Sequence, residues 1–233
     1  MTTNGKRSLD SVIERFLSHS HIRSYPAKHI LIREGDPSRD LYYIVRGSVT
    51  VMIEEQRGRE IVLAYLNPGD FFGEIGLFDE EHKRTAYVRA RTSCEIANIS
   101  YEKFKSLHEL FPDLLFQIAS QMAIRLRRTS RKVSDLAFTD VKGRVARALL
   151  DLSCEPDAMT HPDGMLIRIT RQELGRIVGC SREMVGNFAA GTPANFSQSR
   201  PSVLSSGVIT ASPTPMSMWN WMKVRASIRA STG

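Results

Sequence analysis

The stretch from Gly69 to Arg91, GDFFGEIGLFDEEHKRTAYVRAR, constrains this chain more tightly than any other. Gly73 has no Cβ, so its backbone can approach a ligand closely. Gly73, Glu74, Ile75 and Gly76 can open a short helical turn whose free N–H groups face an anion. Ten residues after Glu74, Arg84 offers a planar fork that binds phosphate oxygens in pairs, and Thr85 beside it adds a hydroxyl donor. Glu74 would repel a phosphate, but its carboxylate suits a ribose hydroxyl. One acid for a sugar and one base for a phosphate point to a nucleotide.

The residues around this stretch describe the frame that would hold it. From Ala27 to Ile99 apolar residues recur with a period of two. Segments 41–45, 49–53 and 61–66 are rich in β-branched and aromatic residues and are separated by turn signals at Gly35, Gly47, Gly58 and Gly69. Short antiparallel strands with tight turns read as a jelly-roll or related β-barrel. Phe71, Phe72, Leu77 and Phe78 are expected to pack its interior. Ahead of the barrel, Val12, Ile13, Phe16 and Leu17 recur at helical spacing and predict a short amphipathic helix that covers it. His19, His21 and Arg23 follow, without a third ligand for a metal, and read as a basic surface.

After a short helix over 101–108, Pro112 opens a long one that runs to about Phe138. Leu115, Ala119, Met122, Leu126, Thr129, Val133 and Leu136 alternate steps of four and three, a heptad seam that predicts pairing between two subunits. Thr129 is the polar member of that seam, with Ser130 next to it and Arg125 one turn before. A hydroxyl there needs a hydrogen-bonding partner, and a bound base would be one. Residues 138–140 read as a hinge, and 141–153 as a helix with an apolar face at Val145, Leu149, Leu150 and Leu152. The segment 155–164, with its Pro-Asp-Gly turn, reads as an exposed loop, and 165–169 as a strand. In Thr170 to Gly186, TRQELGRIVGCSREMVG, Thr170 and Glu173 form a capping box, Gly179 supplies a left-handed turn and Ser181 caps a second helix. Gly175, Gly179 and Val185 have the spacing of a helix-turn-helix. Arg182 can read guanine and Glu183 cytosine from the first turn of the second helix. Arg171, Gln172, Ser181, Arg182 and Glu183 are the candidate DNA contacts.

GDFFGEIGLF followed by RTAYVRA resembles the phosphate-binding cassette of the cyclic-nucleotide-binding domain in the form carried by the Crp/Fnr family. The resemblance runs to about residue 186. It implies cAMP as allosteric effector, with Gly73 and Glu74 on the ribose and cyclic phosphate and Arg84 and Thr85 on the phosphate. Thr129 and Ser130 from the two subunits would bond the adenine, with Arg125 reaching the phosphate side. Thr85 stands where Crp-type regulators have serine, and a threonine there helps related kinase domains recognise cGMP, so the choice between cAMP and cGMP stays open. The resemblance also implies a palindromic DNA operator and RNA polymerase contacts at Thr160, His161 and Gly164 and at His21, Arg23 and Lys103.

Past Gly186 the family pattern stops. Asn187 stands in place of a third base-reading arginine, and Gly191 and Pro193 interrupt the helix. From Asn187 onward there are four basic and no acidic residues amid Ser, Thr and Pro, a composition of disorder. The expected fold is therefore α+β: a cyclic-nucleotide-binding β jelly-roll barrel over 1–110, a dimerisation helix over 111–138, a truncated helix-turn-helix domain over 139–186, incomplete or disordered beyond it, and an atypical disordered tail over 187–233.

Bulk properties agree with this reading. The net charge of +7 favours a polyanionic partner. No run of 18 apolar residues and no signal-peptide core is present, so a cytoplasmic protein without a membrane partner is expected. Cys94, Cys154 and Cys180 lack any CxxC spacing and read as reduced, mostly buried thiols rather than a disulfide framework or a metal site. No nucleophile elbow, metal-ligand set or phosphate-binding lysine loop supports an enzyme. Two readings remain: a cAMP-responsive homodimeric transcription regulator, or a nucleotide-binding dimer whose DNA module is crippled by the altered C-terminus.

Overall fold

The computed structural model describes residues 12–55, 58–107, 112–161, 164–190, 208–211 and 225–226. The chain divides into two compact units, residues 1–131 and 132–233, and the division falls inside a long helix.

In the first unit, helix α1 (12–18) precedes eight strands: β1 (His21–Tyr25), β2 (Ile30–Ile32), β3 (Asp40–Arg46), β4 (Val49–Glu54), β5 (Glu60–Leu66), β6 (Phe71–Phe72), β7 (Tyr87–Ala90) and β8 (Cys94–Ser100). They form two antiparallel four-stranded sheets of order β1-β8-β3-β6 and β2-β7-β4-β5. Every sheet neighbour but β4–β5 comes from a distant part of the chain, as in a jelly roll. The four turn glycines, Gly35, Gly47, Gly58 and Gly69, all have positive φ. One core cluster joins Ile44, Val49, Leu66, Phe72, Val88 and Ile96, and a second joins Phe16 of α1 to Leu41, Phe71 and Phe104. Phe71, Phe72 and Leu77 are buried as expected, but Phe78 is 60% exposed, because the short helix α2 (Ile75–Phe78) turns its last residue outward.

Helix α3 (Tyr101–Leu107) leads to α4 (Pro112–Phe138), whose 27 residues span about 40 Å. Leu114 and Ile118 lie in the second cluster, and Leu115 and Met122 pack against it. The first and third members of the expected seam are thus half-buried against the barrel, while Ala119, Leu126, Thr129, Val133 and Leu136 are exposed. The face left exposed runs Phe116, Ala119, Ala123, Leu126, Ser130, Val133 and Ala137, again in steps of three and four. It keeps Ala119, Leu126 and Val133 from the expected seam, and Leu126 is 69% exposed.

The second unit contains α5 (Val141–Ser153), the hairpin β9 (Met159–His161) and β10 (Gly164–Arg168), and helices α6 (Arg171–Val178) and α7 (Arg182–Ala190). Asp140 caps α5 by accepting a hydrogen bond from the Gly143 amide at 2.8 Å. Val145, Ala148, Leu149 and Leu152 are buried, whereas Leu150, expected on that face, is exposed. Within the tail expected to be disordered, two short strands are described. Strand β11 (Val208–Ala211) pairs antiparallel with β10, and β12 (Arg225–Ala226) pairs with β11, giving a sheet of order β12-β11-β10-β9. Ladder pairing of β11 with β10, and of β12 with β11, involves residues whose composition alone argued for no strand. Gly191, Pro193 and the rest of the tail lie outside the described residues, as does the expected N-terminal segment before residue 12. Among the described residues no helix is long and apolar enough to cross a membrane.

Candidate nucleotide site and helix-turn-helix

The first site is built where β6 ends. Gly73 has φ +77°, and a Cβ there would sit 2.6 Å from Arg84 Nη1 and 3.1 Å from the Asp40 carbonyl oxygen, so glycine is required for both conformation and space. The reversed backbone aims the Gly73 carbonyl inward, where it accepts from Arg84 Nη1 at 3.2 Å and from the Tyr101 hydroxyl. Arg84 Nη2 donates to the Asp40 carbonyl at 2.9 Å, and Nη1 also reaches the Tyr101 oxygen at 3.1 Å. The guanidinium lies 5.4 Å from the centre of the Tyr42 ring and 6.0 Å from that of Tyr101. Burial pushes the Tyr101 and Tyr42 hydroxyls above their ordinary value, so both rings are neutral at physiological pH. Ser38 and Tyr101 exchange a buried hydrogen bond at 2.7 Å.

Arg84 is only 8% exposed, and its polar partners among the described residues are carbonyls and a hydroxyl, with no carboxylate. A buried cation without a counter-charge is costly unless an anion completes the site. Glu74, 7% exposed, immediately precedes α2 and is held differently. Arg125 of α4 donates to Glu74 Oε1 at 2.9 Å and lies 3.6 Å from Asp70, so the charge of Glu74 is already matched. Gly73, Glu74, Arg84 and Arg125 are thus brought together from three elements. Thr85 is exposed in the loop before β7, and Thr129 and Ser130 are exposed on α4, one turn and more beyond Arg125. Sequence reasoning missed Ser38, Asp40, Tyr101 and Gln121, whose contacts with the cassette depend on long-range packing.

The second site lies on α6 and α7. Thr170 Oγ1 accepts from the Glu173 amide at 3.1 Å, Gly179 closes α6 in the left-handed conformation, and Ser181 Oγ accepts from the Met184 amide at 3.3 Å. These are the three local signals read from the sequence. Leu174, Val178 and Val185 are buried, and a Cβ on Gly175 would sit 2.7 Å from the Cys180 carbonyl, so the two helices cross closely there. Arg182 and Glu183 are 76% and 66% exposed and pair with each other at 2.8 Å, and that pairing holds the Glu183 carboxyl down at about 2. Gln172 is exposed, and Arg171 lies partly buried beside Gly186, its Nε without a hydrogen-bond partner among the described residues. The side chain of Asn187 lies outside the described residues.

Of the remaining candidates, His21 and Arg23 are exposed on one face of β1, and Lys103 Nζ donates to the His19 carbonyl at 2.6 Å. Thr160 is exposed on β9, opposite Met165 in the hairpin; the expected loop 155–164 is in part this strand. The side chain of His161 is outside the described residues. Cys94 is buried, but Cys154 is exposed just past α5, against the expectation of mostly buried thiols. No cluster of metal ligands occurs among the described residues.

Comparison with known proteins places these sites in context. Residues 22–110 match the cyclic nucleotide-binding domain, and residues 167–186 match the bacterial regulatory proteins of the crp family. The chain is 58% identical over 184 residues to the cAMP-activated global transcriptional regulator CRP of Salmonella typhimurium, covering 79% of this chain and 88% of that protein. It is equally similar, 58% over 177 residues, to the cAMP-activated global transcriptional regulator Vfr of Pseudomonas aeruginosa, covering 75% of this chain and 83% of that one. Among solved structures, the c-di-GMP responsive global regulator CLP of Xanthomonas campestris superposes with a TM-score of 0.78 at 44% identity, covering 88% of this chain and all of that one. A transcriptional regulator of the CRP/FNR family from Thermus thermophilus superposes with a TM-score of 0.63 at 27% identity, over 73% of this chain and 84% of that one.

Proposed function

Because this chain belongs to the Crp family of bacterial regulatory proteins, we propose that it is a cAMP-responsive, homodimeric, DNA-binding transcription regulator and not an enzyme, acting in the cytoplasm. The observation that carries the nucleotide assignment is the buried Arg84, which has no carboxylate partner among the described residues, next to a Glu74 whose charge Arg125 already balances. A single cyclic phosphodiester supplies the one negative charge that the Arg84 pocket lacks. Glu74 keeps an oxygen for a ribose hydroxyl, Gly73 gives the sugar-phosphate room, and Thr85 adds a hydroxyl at the rim. Thr129 and Ser130, from the two copies of α4, are assigned to the base. The exposed stripe from Phe116 to Ala137 supports pairing of those helices.

In the second unit, Arg182 and Glu183 are assigned to base edges, and Arg171, Gln172 and Ser181 to the DNA backbone. By this reading 1–110 binds nucleotide, 111–138 dimerises and 139–186 binds DNA. RNA polymerase is assigned to Thr160, His161 and Gly164, and to His21, Arg23 and Lys103. The family match that ends at residue 186 favours a second reading, in which nucleotide binding and dimerisation persist but sequence discrimination is weakened by Asn187. Each good base contact is worth roughly 1–3 kcal/mol of discrimination.

One experiment tests both: DNA binding to a palindrome of two TGTGA half-sites and to scrambled DNA, with and without cAMP, cGMP and c-di-GMP, across salt concentrations. The regulator reading expects cAMP to raise affinity for the palindrome selectively. Binding that is equal on the two DNAs and falls steeply with salt supports the weakened module. Selective activation by c-di-GMP instead of cAMP would overturn the effector assignment.

A further inference from the structure

Gln121 occupies an unusual position for a polar side chain on a long helix. Its Nε2 donates to the Gly69 carbonyl at 2.9 Å and its Oε1 accepts from the Phe71 amide at 2.9 Å. The carboxamide thus serves the backbone as a neighbouring strand would, at the point where the chain enters the cassette. The same Oε1 takes a third hydrogen bond, from Arg125 Nη2 at 3.3 Å, one helical turn further along α4. Arg125 Nη1 is the group that holds Glu74, and Asp70, 3.6 Å from Nη2, flanks the guanidinium. Asp70 is itself tied into the barrel, accepting from the Asn67 amide at 2.7 Å through its side chain and from the Ile44 amide at 3.0 Å through its carbonyl. The amide orientation follows from its partners, since a flip would set donor against donor at Phe71 and acceptor against acceptor at Gly69.

We propose that Gln121 is a positioning residue for the nucleotide: it pins the middle of α4 to the backbone ahead of Gly73 and holds Arg125 in place on Glu74. This rests on the nucleotide reading of the pocket. A shift of α4 along or about its axis breaks the Gln121 bonds and moves Arg125 with them, so the register of the helix is read at the carboxylate that faces the ribose. Among the described residues Arg84 makes no hydrogen bond to Gln121 or Arg125 and meets this chain of contacts through the Gly73 carbonyl, so its own hold on a phosphate is less affected than that of Glu74 on the sugar.

The test is calorimetry with cAMP on the full chain, comparing wild type with Gln121→Met, Gln121→Glu and Arg84→Leu, with thermal melting alongside. Gln121→Met keeps the length and loses all three hydrogen bonds. It should weaken cAMP about tenfold, a step of about 1.4 kcal/mol. Gln121→Glu keeps the acceptor for Phe71 and Arg125 but sets a carboxylate oxygen against the Gly69 carbonyl and competes with Glu74 for Arg125. Its deficit relative to wild type should shrink as the pH falls through about 4, where the acid becomes mostly protonated and donates to Gly69 as the amide does. A Gln121→Met affinity within twofold of wild type overturns the proposal. If that variant does not fold, a Gln121→Glu deficit that is absent, or that stays flat with pH, overturns it instead. Failure of wild type to bind cAMP, or equal binding by wild type and Arg84→Leu, would overturn the nucleotide reading itself, which separates the two outcomes.

Discussion

The cassette and the helix-turn-helix each carry an arginine and a glutamate, yet the two pairs are organised in opposite ways. Arg84 and Glu74 are buried, and their partners come from β3, α3 and α4, up to 51 residues away in the chain. Arg182 and Glu183 are exposed neighbours that pair with each other, on a helix set by the caps at Gly179 and Ser181. A prepared, desolvated pocket binds a small anion with few contacts, because the cost of ordering its groups is met when the protein folds. An exposed reading edge has little affinity of its own and depends on the many phosphate contacts of a long polyanion.

The sharpest way to break this contrast is Arg84→Leu. Truncating one side of a desolvated, charge-assisted contact costs ~2–5 kcal/mol, so cAMP affinity should fall by roughly 30-fold to several thousand-fold. Calorimetry measures it, and equal affinities would remove the phosphate site. A smaller effect is expected in the second unit from Gly175→Ala, whose Cβ would meet the Cys180 carbonyl at 2.7 Å. Because backbone must shift, the cost is about 1–3 kcal/mol of stability there. Thermal melting should show it while cAMP affinity stays at the wild-type value; an unchanged melt would mean that the α6–α7 crossing is not tight.

The smallest expected effect is a pH dependence at Lys132. Burial pushes its ammonium down to about 8, against an opposing pull from Asp151. Between about pH 8 and 10.5 the unfolded chain holds a proton that the folded chain has released, so stability rises with pH across that window, and the penalty of the buried charge is fully present below it. Lys132→Met should remove this slope in melts compared at pH 7.5 and 9.5. A slope that persists unchanged would assign it to another group.

Much of the chain is legible from its residues alone because the signals are local. The turn glycines, the capping box at Thr170 and Glu173, the left-handed Gly179 and the limits of α4 depend on residues within one turn or hairpin, where φ preferences and backbone hydrogen bonds decide the outcome. The Gly73, Glu74, Arg84 set is legible because an anion-binding reading ties these residue types to one short stretch of the chain. Which face of α4 goes where is not: heptad spacing marks an apolar stripe, but only packing against Phe16, Leu41 and Phe71 decides that Leu115 and Met122 turn inward and Phe116 and Ala123 stay out. Phe78 and Leu150 read as core by hydrophobicity alone and are exposed because burial is a property of neighbours. Pairing of β11 with β10 is equally hidden, since a strand partner supplied from about 40 residues away leaves no local signature. Gln121 is the clearest case: nothing in the sequence distinguishes it from a solvent-facing glutamine, and its role exists only because the fold brings the Gly69 carbonyl and the Phe71 amide within reach of one carboxamide.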